Sequence, residues 1–461
     1  MAAPSPAPGF WCVALNDGPL AASPTWTRMD TIVKVQEIRI SRGREDESEK
    51  TKTGTAEVDV NDRASLIDPL NAASAYYDKL IGRQTAISEW DPVTSAWKQL
   101  YQGVIDEIAF DVDKSGRVTR STVLCVDRFD YLANLELIPG SNGDAPPASV
   151  DDGVVWYEDG AVDDRIIQML TEASIPDPVG PGGDLAIFSG NVTLQETPYD
   201  AGDDMLGALW DCADAEFPDA ANLFCDRFNI IKFHGRLAKF DPVFVSGQAG
   251  VYWDYTAWKA GDGAAIALDP TRAQIRPPLQ YTHGRKNVIN VGLALPATRG
   301  LTQTLIDTYP ISGQVVTDAT SVTRWGPRTW SRTDLLTLLG TTTGDDAFAE
   351  TKRFATHKVQ NYKDLRPRLE KLTFQSIHPD DGRAAATWAL LLGIEVSDTI
   401  DLDTTGPGGV GGFDEVFYVD GLTYTIRDAT GDGSLGAGGF HDITLEVDVT
   451  PAARYTYDAF A

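Results

Sequence analysis

Residues 111–116 of this 461-residue sequence have the spacing of an ion-binding loop. They match the first half of a calcium loop, in which oxygen ligands at alternate positions converge on the ion. The bidentate acid that such a loop requires at its twelfth position would fall at Thr122, which cannot supply it. Because Lys114, Ser115 and Gly116 also make a good turn between two strand-like segments, the sequence favours a hairpin, with calcium binding as the alternative.

Other patterns with catalytic or ligand-binding chemistry are weak. The glycine-rich residues 406–412 are followed by neither a helical pattern nor a lysine, so a flexible loop is favoured over a phosphate site. The five histidines have no metal-ligand spacing, and hydrolase and nucleotide-binding signatures are missing. Acidic pairs such as Asp151/Asp152 are uninformative among 67 acids, and the eleven tryptophans are more typical of core and interface anchors than of sugar platforms. The sequence therefore predicts no catalytic residue, no cofactor, no metal ligand and no enzyme activity.

The net charge of −28, from 67 acidic and 39 basic side chains, dominates the composition. Such a surface repels nucleic acid and anionic lipid at long range, so we expect no stable DNA binding. Two interpretations stay open. The charge either keeps the protein soluble in general, or forms a surface past which DNA slides without sticking.

Membrane, secretion and disulfide signals are also missing. The sequence has no run of about 18 uncharged apolar residues, so no membrane-spanning helix is predicted. Residues 1–11 lack the regions of a secretion signal and are expected to form an ordered arm or a frayed tail. Cys12, Cys125, Cys212 and Cys225 lack CxxC spacing, so neither a zinc site nor a disulfide framework is expected. Cys125 and Cys212 lie in apolar stretches and are predicted to be small core residues.

The elements that would position any site are first strands and then helices. In residues 55–60, apolar and acidic side chains alternate with the period of a half-buried strand. Further strands are predicted at residues 32–40, 84–90, 99–110 and 118–126. Several short strands at this spacing predict a barrel or a sandwich. Residues 139–152 are expected to be a linker, and helical spacing predicts helices at 163–173 and 203–214. Strands are predicted again from residue 281, interrupted by a helix at 346–362, and the final segment 394–450 is again β.

Seven short motifs follow one another in the first β region. They lie at residues 42–44 (Arg-Gly-Arg), 54–61, 68–69 (Asp-Pro), 76–77 (Tyr-Tyr), 80–83, 100–105 and 123–132. In this order they resemble the N-terminal barrel of minor tail proteins from long-tailed phages of actinobacteria, which are similar in turn to the baseplate hub family. Later segments resemble the rest of that family in the same order, except that its Gly-Asp turn before the closing barrel is Ser397-Asp398 here.

The resemblance implies a mainly β fold with an α+β insertion: two tube-like β-barrels, a smaller α+β domain and one long helix. The implied domains are an N-terminal arm (1–30), a first barrel (31–138), a linker and α+β domain (139–280), a return strand, connecting segment and long helix (281–393), and a second barrel with a C-terminal tail (394–461).

The resemblance also implies a structural virion protein of the siphophage tail tip, a baseplate or tail hub subunit. Such subunits form a homotrimer, a pseudo-sixfold ring that joins the tail tube to the tip and lines the DNA ejection channel. The expected partners are tail tube and distal tail proteins, tip fibre or spike proteins and the tape measure protein. DNA would pass without stable binding, the chain would not insert into a membrane, and assembly would occur in the host cytoplasm. The alternatives are a distal tail protein in a hexameric ring and a cell-wall hydrolase or carbohydrate-binding module.

One charged loop is the candidate contact within that ring or with the tube. Its residues are Arg44, Glu45, Asp46, Glu47, Glu49, Lys50 and Lys52. Long hairpins of tube-like barrels commonly pack on a neighbour, and a solvated hairpin is the alternative. After the loop, Gly54 permits a strand to begin, and Gly103 is expected to allow a bulge or a close backbone approach.

Overall fold

The fold is seen in a computed structural model of the chain. It describes residues 7, 9–19, 24–45, 49–62, 64–68, 71–76, 79–112, 114, 118–147, 153–175, 192–218, 220–236, 254–255, 259–260, 281–298, 303–338, 344–365, 368–369, 371–404, 414–427 and 441–451. The glycine-rich stretch 406–412 and most of the turn at 113–117 lie outside these residues.

The first half of the chain builds seven strands of a large sheet. They are β1 (Trp11–Val13), β2 (Thr27–Arg28), β3 (Lys34–Gly43), β4 (Lys52–Asn61), β5 (Gln84–Asp91), β6 (Ala96–Val112) and β7 (Val118–Val126). Their order is β2-β1-β5-β6-β7-β4-β3 and every pairing is antiparallel. The predicted strands are confirmed, and β6 and β7 pair across residues 113–117 as the hairpin prediction requires. Part of the predicted arm is strand β1, which pairs with β5.

A small α+β unit follows with its own apolar core. Its elements are α1 (Arg128–Ala133), β8 (Val154–Tyr157), β9 (Gly160–Ala161), α2 (Val162–Glu172), β10 (Thr193–Leu194), β11 (Thr197–Asp200), α3 (Met205–Glu216), β12 (Asn222–Cys225) and β13 (Ile231–His234). The predicted helices at 163–173 and 203–214 are confirmed within two residues at each end. Their apolar stripes face each other, which is why a short sequence can hold a separate core here.

The connecting region contains mostly short elements and the long helix. They are β14 (Asp254–Tyr255), β15 (Lys259–Ala260), β16 (Tyr281–Thr282), a 3-10 turn (Arg285–Asn287), β17 (Val291–Pro296), α4 (Gln303–Thr308), α5 (Ile311–Gln314), β18 (Val316–Thr317), α6 (Ala319–Trp325), β19 (Thr329–Leu335), β20 (Thr337–Leu338), α7 (Gly344–Tyr362) and β21 (Arg368–Leu369). The long helix α7 is confirmed. It packs on β17, where a Cβ on Gly292 would lie 2.9 Å from the carbonyl oxygen of Ala355.

The last part of the chain returns to the large sheet. Its elements are β22 (Lys371–Gln375), α8 (Ala384–Gly393), β23 (Thr399–Thr404), β24 (Asp414–Arg427) and β25 (Asp442–Pro451). Helix α8 was not expected from the sequence. Residues 384–393 are apolar on nearly all sides, so they show no helical period in the sequence, although Ala385 and Ala389 are exposed in the folded chain.

The seven strands of the first half and β22 to β25 join in one sheet, because β24 pairs with β3; β14 and β15, which pair with β23, complete its thirteen strands. The sheet curls around α8, which packs against β5, β6 and β22. At the far side Nδ1 of His441 lies 2.8 Å from Oε2 of Glu89, so the start of β25 approaches β5. The mainly β architecture is confirmed. The described strands of the two predicted barrels share one sheet and one core, and two separate closed barrels stay a prediction.

Candidate functional site

Strand β3 pairs with β24, and we call the line between these two strands the seam. This pairing joins the two halves of the sheet. At its end Gly43 faces Gly421, and Gly43 has a φ of +90°. A Cβ on Gly43 would lie 2.3 Å from the carbonyl oxygen of Asp420, and one on Gly421 would lie 2.5 Å from the carbonyl oxygen of Arg44. Only glycine allows the two backbones to approach each other this closely.

A buried ion pair closes the seam beyond the two glycines. Arg44 donates from Nε and Nη2 to Oδ1 of Asp420, at 3.2 and 3.0 Å. The two side chains are only 3% and 2% exposed. Oδ2 of Asp420 accepts from the hydroxyl of Thr450 in β25, and Nη1 of Arg44 donates to the carbonyl oxygen of Glu49 at 3.2 Å. Both charges are therefore removed from water and partnered by the chain itself.

A second buried cluster ties the seam to the small α+β unit. Arg42 of β3 and Arg227 of the β12–β13 turn both donate to the carboxylate of Glu395, at 2.5 and 3.1 Å. Arg227 also donates to the carbonyl oxygens of residues 392–394, which the end of α8 leaves without helical partners. Burial alone would raise the pKa of Glu395, but the guanidinium groups of Arg42 and Arg227 lower it to about 2. The carboxylate is therefore charged at neutral pH and joins three parts of the chain.

Two buried carboxyl groups beside this cluster have raised pKa values. Asp127 caps α1 and accepts from the amides of Gly54 and Phe129, at 2.7 and 2.9 Å. Burial raises the pKa of Asp127 to about 7, although both amides lower it. Asp398 accepts from the amide of Glu395 at 2.7 Å, and burial together with the charge of Glu395 raises the pKa of Asp398 well above its usual range. Because backbone amides occupy both carboxyl groups, their arrangement suits local structure rather than catalysis.

The predicted contact loop lies next to the seam, and its residues divide into two groups. Arg44 is buried in the ion pair with Asp420, whereas Lys52 is exposed and lies 3.1 Å from Glu45 and 3.4 Å from Glu49. Nζ of Lys50 lies 3.9 Å from the carboxylate of Asp214 in α3.

The remaining two loop residues, Asp46 and Glu47, lie outside the described residues. The side chain of Thr51, at the base of the loop, donates to Asn222 at 3.0 Å. A contact of the loop with a neighbouring subunit stays a prediction.

The described residues hold no group of three or more His, Cys, Asp or Glu side chains placed to bind a metal ion. All four cysteines are buried free thiols, as predicted for Cys125 and Cys212. A surface depression of about 450 Å³ is lined by Lys34, Asn61 and Asp62 among others. Both carboxylate oxygens of Asp62 accept from backbone amides at 2.8 Å, so it offers no free acid or base there. No helix among the described residues is long and apolar enough to cross a membrane.

Comparison with solved structures finds a tail protein of similar fold. The 43 kDa tail protein of prophage MuSo2 from Shewanella oneidensis matches with a TM-score of 0.50 and 10% identity, over 96% of this chain and 99% of that chain. This chain is similar in fold to a phage tail protein.

Two further structures match at lower scores. They are the tail protein from Neisseria meningitidis MC58 (0.49, 10% identity, 95% of this chain and 96% of that chain) and the c3393 protein of E. coli, a component of the type VI secretion system (0.40, 10% identity, 92% and 76%). No family model and no curated protein matches the sequence.

The sequence singled out residues 42–44 as a motif and Arg44 as a contact residue, but it did not identify their partners across the seam, although one signal was present. Asp420 interrupts the apolar alternation of β24 directly before Gly421, and the register of β24 with β25 shifts at this point. An acid followed by glycine inside a strand indicates a bulge with a buried partner, but it does not say which cation is the partner.

Proposed function

We propose that this chain is a structural protein of the phage tail tip, a baseplate or tail hub subunit. The observation that carries the proposal is the similarity in fold to the prophage tail protein, which extends over nearly the whole of both chains. The sequence motifs resemble the same class of protein independently of the fold. The function is then assembly, with no catalytic step.

In the proposed assembly three copies form a ring, and each copy contributes two tube-like units. The seam supports this arrangement, because it holds the two halves of the sheet in one fixed relation through Gly43, Gly421 and the buried Arg44–Asp420 pair. Three chains with two rigidly joined units each would present six units to a sixfold tail tube. The loop from Glu45 to Lys52, in which Glu45, Glu49, Lys50 and Lys52 are exposed, is the proposed contact with the neighbouring copy or the tube.

The distal tail protein with a hexameric ring is the second candidate. Its ring would need one tube-like unit from each of six chains. The hub is preferred because the order of the sequence motifs resembles that family, and the pairing of β3 with β24 would then join its two units within each chain. Proposed partners are the tail tube above and fibre or spike proteins below, with DNA passing through the ring.

An asymmetric cryo-EM reconstruction of the intact tail tip tests the proposal by counting copies of this chain. Three copies around the axis, each with two units in one ring, are expected. Six copies with one unit each would move the chain to the distal tail ring. Absence of the chain from the virion, checked by mass spectrometry of purified particles, would overturn the structural role.

The proposal of a non-enzymatic role has a separate test. Purified full-length protein is incubated with purified cell wall, and the release of soluble fragments is measured. No release is expected, and tryptophan fluorescence should not respond to added sugars. Release that disappears when a carboxylate is replaced would instead support a tail-tip hydrolase.

A further inference from the structure

The seam produces a continuous polar surface that crosses both halves of the sheet. The outward face is formed by the residues that alternate with buried core residues in 37–41 of β3, 55–59 of β4, 120–124 of β7, 423–427 of β24, 442–448 of β25 and 371–375 of β22. The opposite face of the same strands carries the core.

Short hydroxyl side chains and charges make up nearly all of the outward face. Thr423, Ser41 and Thr55 are paired neighbours across the seam, so a row of small side chains crosses from β24 to β4. The other positions of the face hold six carboxylates, four cations, further uncharged polar residues and Leu124. The face is therefore acidic, and it carries only short side chains where the two halves meet.

Each of the four cations on this face is paired with a carboxylate of the same face. Glu37 binds two of them, because its carboxylate lies 2.6 Å from Nε of Arg39 and 2.9 Å from Nε of Arg427. Burial alone would raise the pKa of Glu37, but the two guanidinium groups hold it below its usual value.

The other two cations lie nearer the ends of the face. Arg120 pairs with Asp59, and Nζ of Lys371 lies 2.8 Å from Glu446 and 3.8 Å from Asp448. All four cationic side chains are about half exposed, at 46–59%. Exposed pairs of this kind contribute roughly 0–1 kcal/mol to stability, so stability alone is a weak reason for pairing every cation.

We propose that the outward face is a charge-masked surface past which duplex DNA slides. Non-specific DNA binding depends on lysine and arginine side chains that replace the counterions of phosphates. On this face the cations are held by carboxylates, and the surplus of acid repels the polyanion. The inference rests on the proposed function, because it assigns this face to the channel of the proposed ring.

The inference is tested by replacing a carboxylate that pairs with cations of the face, without adding any cation. Glu37→Gln removes the carboxylate shared by Arg39 and Arg427. Asp164→Asn in α2 is the matched control, because it changes the net charge equally at a distant site. Binding of the full-length proteins to a fluorescent DNA duplex is measured by anisotropy at several salt concentrations. Glu446→Gln, which removes the nearer of the two carboxylates beside Lys371, is the second variant should the first fail to fold.

Glu37→Gln is expected to raise the apparent association constant at low salt about tenfold over the control. The log–log salt slope should lie between about −1 and −2, because Arg427 loses its carboxylate while Arg39 keeps Glu57 at 3.9 Å. Equal binding of the variant and the control, or tight binding by the unaltered protein, would overturn the inference. The assay does not depend on where the chain sits in the virion. A negative binding result therefore contradicts the charge-masking inference alone, whereas the hub proposal is tested by the count of copies in the tail tip.

Discussion

Arg44 and Asp420 lie 376 residues apart in the sequence and form an ion pair of 3.0 Å between Nη2 and Oδ1. The pair stands at the point where the first and second halves of the sheet meet, and both side chains are almost fully buried. A buried pair of this kind adds modestly to stability, but it strongly penalises any arrangement in which one partner is missing. Its role is therefore to specify one relation between the two halves.

Removal of one partner of this pair should destabilise the protein strongly. Arg44→Ala leaves Asp420 charged and buried, so the free energy of unfolding should fall by about 3–5 kcal/mol. Arg39→Ala removes an exposed cation from the same strand and should cost at most about 1 kcal/mol. Urea denaturation of both variants measures the difference. A loss below about 1 kcal/mol in Arg44→Ala would show that the seam does not depend on the pair.

Alanine at Gly43 should cost more than alanine at another glycine with positive φ. Gly43 has a φ of +90° and a Cβ there would meet the carbonyl oxygen of Asp420 at 2.3 Å, so the seam itself must shift. Gly82 has a φ of +73° with nothing within 4 Å of its Cβ position. Gly82→Ala should therefore lose only the backbone preference, about 1–2 kcal/mol, and Gly43→Ala roughly 1–3 kcal/mol more. Thermal unfolding compares the two, and equal losses would contradict a tight crossing.

Glycine at position 397 should stabilise the turn that the sequence comparison singled out. Ser397 has a φ of +75°, a backbone region that favours glycine, and its hydroxyl accepts only a 3.4 Å hydrogen bond from Asn222. Ser397→Gly should raise the free energy of unfolding by about 0.5–1 kcal/mol. Ser41→Gly, in a regular strand, should lower it by a similar amount. Destabilisation by Ser397→Gly would mean that the serine hydroxyl contributes more than the strained backbone costs.

Stability should depend on pH in opposite directions through Glu395 and Asp127. The pKa of Glu395 is lowered to about 2, so its stabilising contribution is present above its usual pKa near 4.5 and is lost as pH falls towards 2. The pKa of Asp127 is raised to about 7, so the folded protein holds this proton more tightly than the unfolded chain. Its effect is therefore a loss of stability as pH rises from about 4 to 7.

Urea denaturation across this pH range tests the assignment to Asp127. Asp127→Asn should flatten the decline between pH 4 and 7 while the acid limb below pH 4.5 stays. The variant should also be less stable at low pH, because an amide oxygen accepts only one of the two backbone N–H groups. An unchanged slope between pH 4 and 7 would assign the decline to other buried acids such as Asp448, whose pKa burial raises to about 6.

The sequence alone predicted the elements whose pattern is local. Alternation located β4, strand-like segments separated by turn residues located β3, β5, β6 and β7, and helical spacing located α2, α3 and α7. A half-buried element repeats its apolar side chains with its own period, which is why β4 and these helices are readable locally. Helix α8 has no such period, because its exposed positions Ala385 and Ala389 are apolar like its buried ones. The local pattern therefore failed for a helix whose exposed side carries alanine instead of polar side chains.

Which strands pair across the chain was decided only by the tertiary structure. The alternation in β3 and in β24 says that each strand has a buried face, but it does not say that the two strands pair. The need for glycine at 43 and 421, the partner of Arg44, and the joining of Arg42 and Arg227 by Glu395 follow from that pairing. Such contacts depend on positions hundreds of residues apart, so no local spacing encodes them. The acidic composition was read from the sequence, but the pairing of each cation on the outward face appears only when the strands lie side by side.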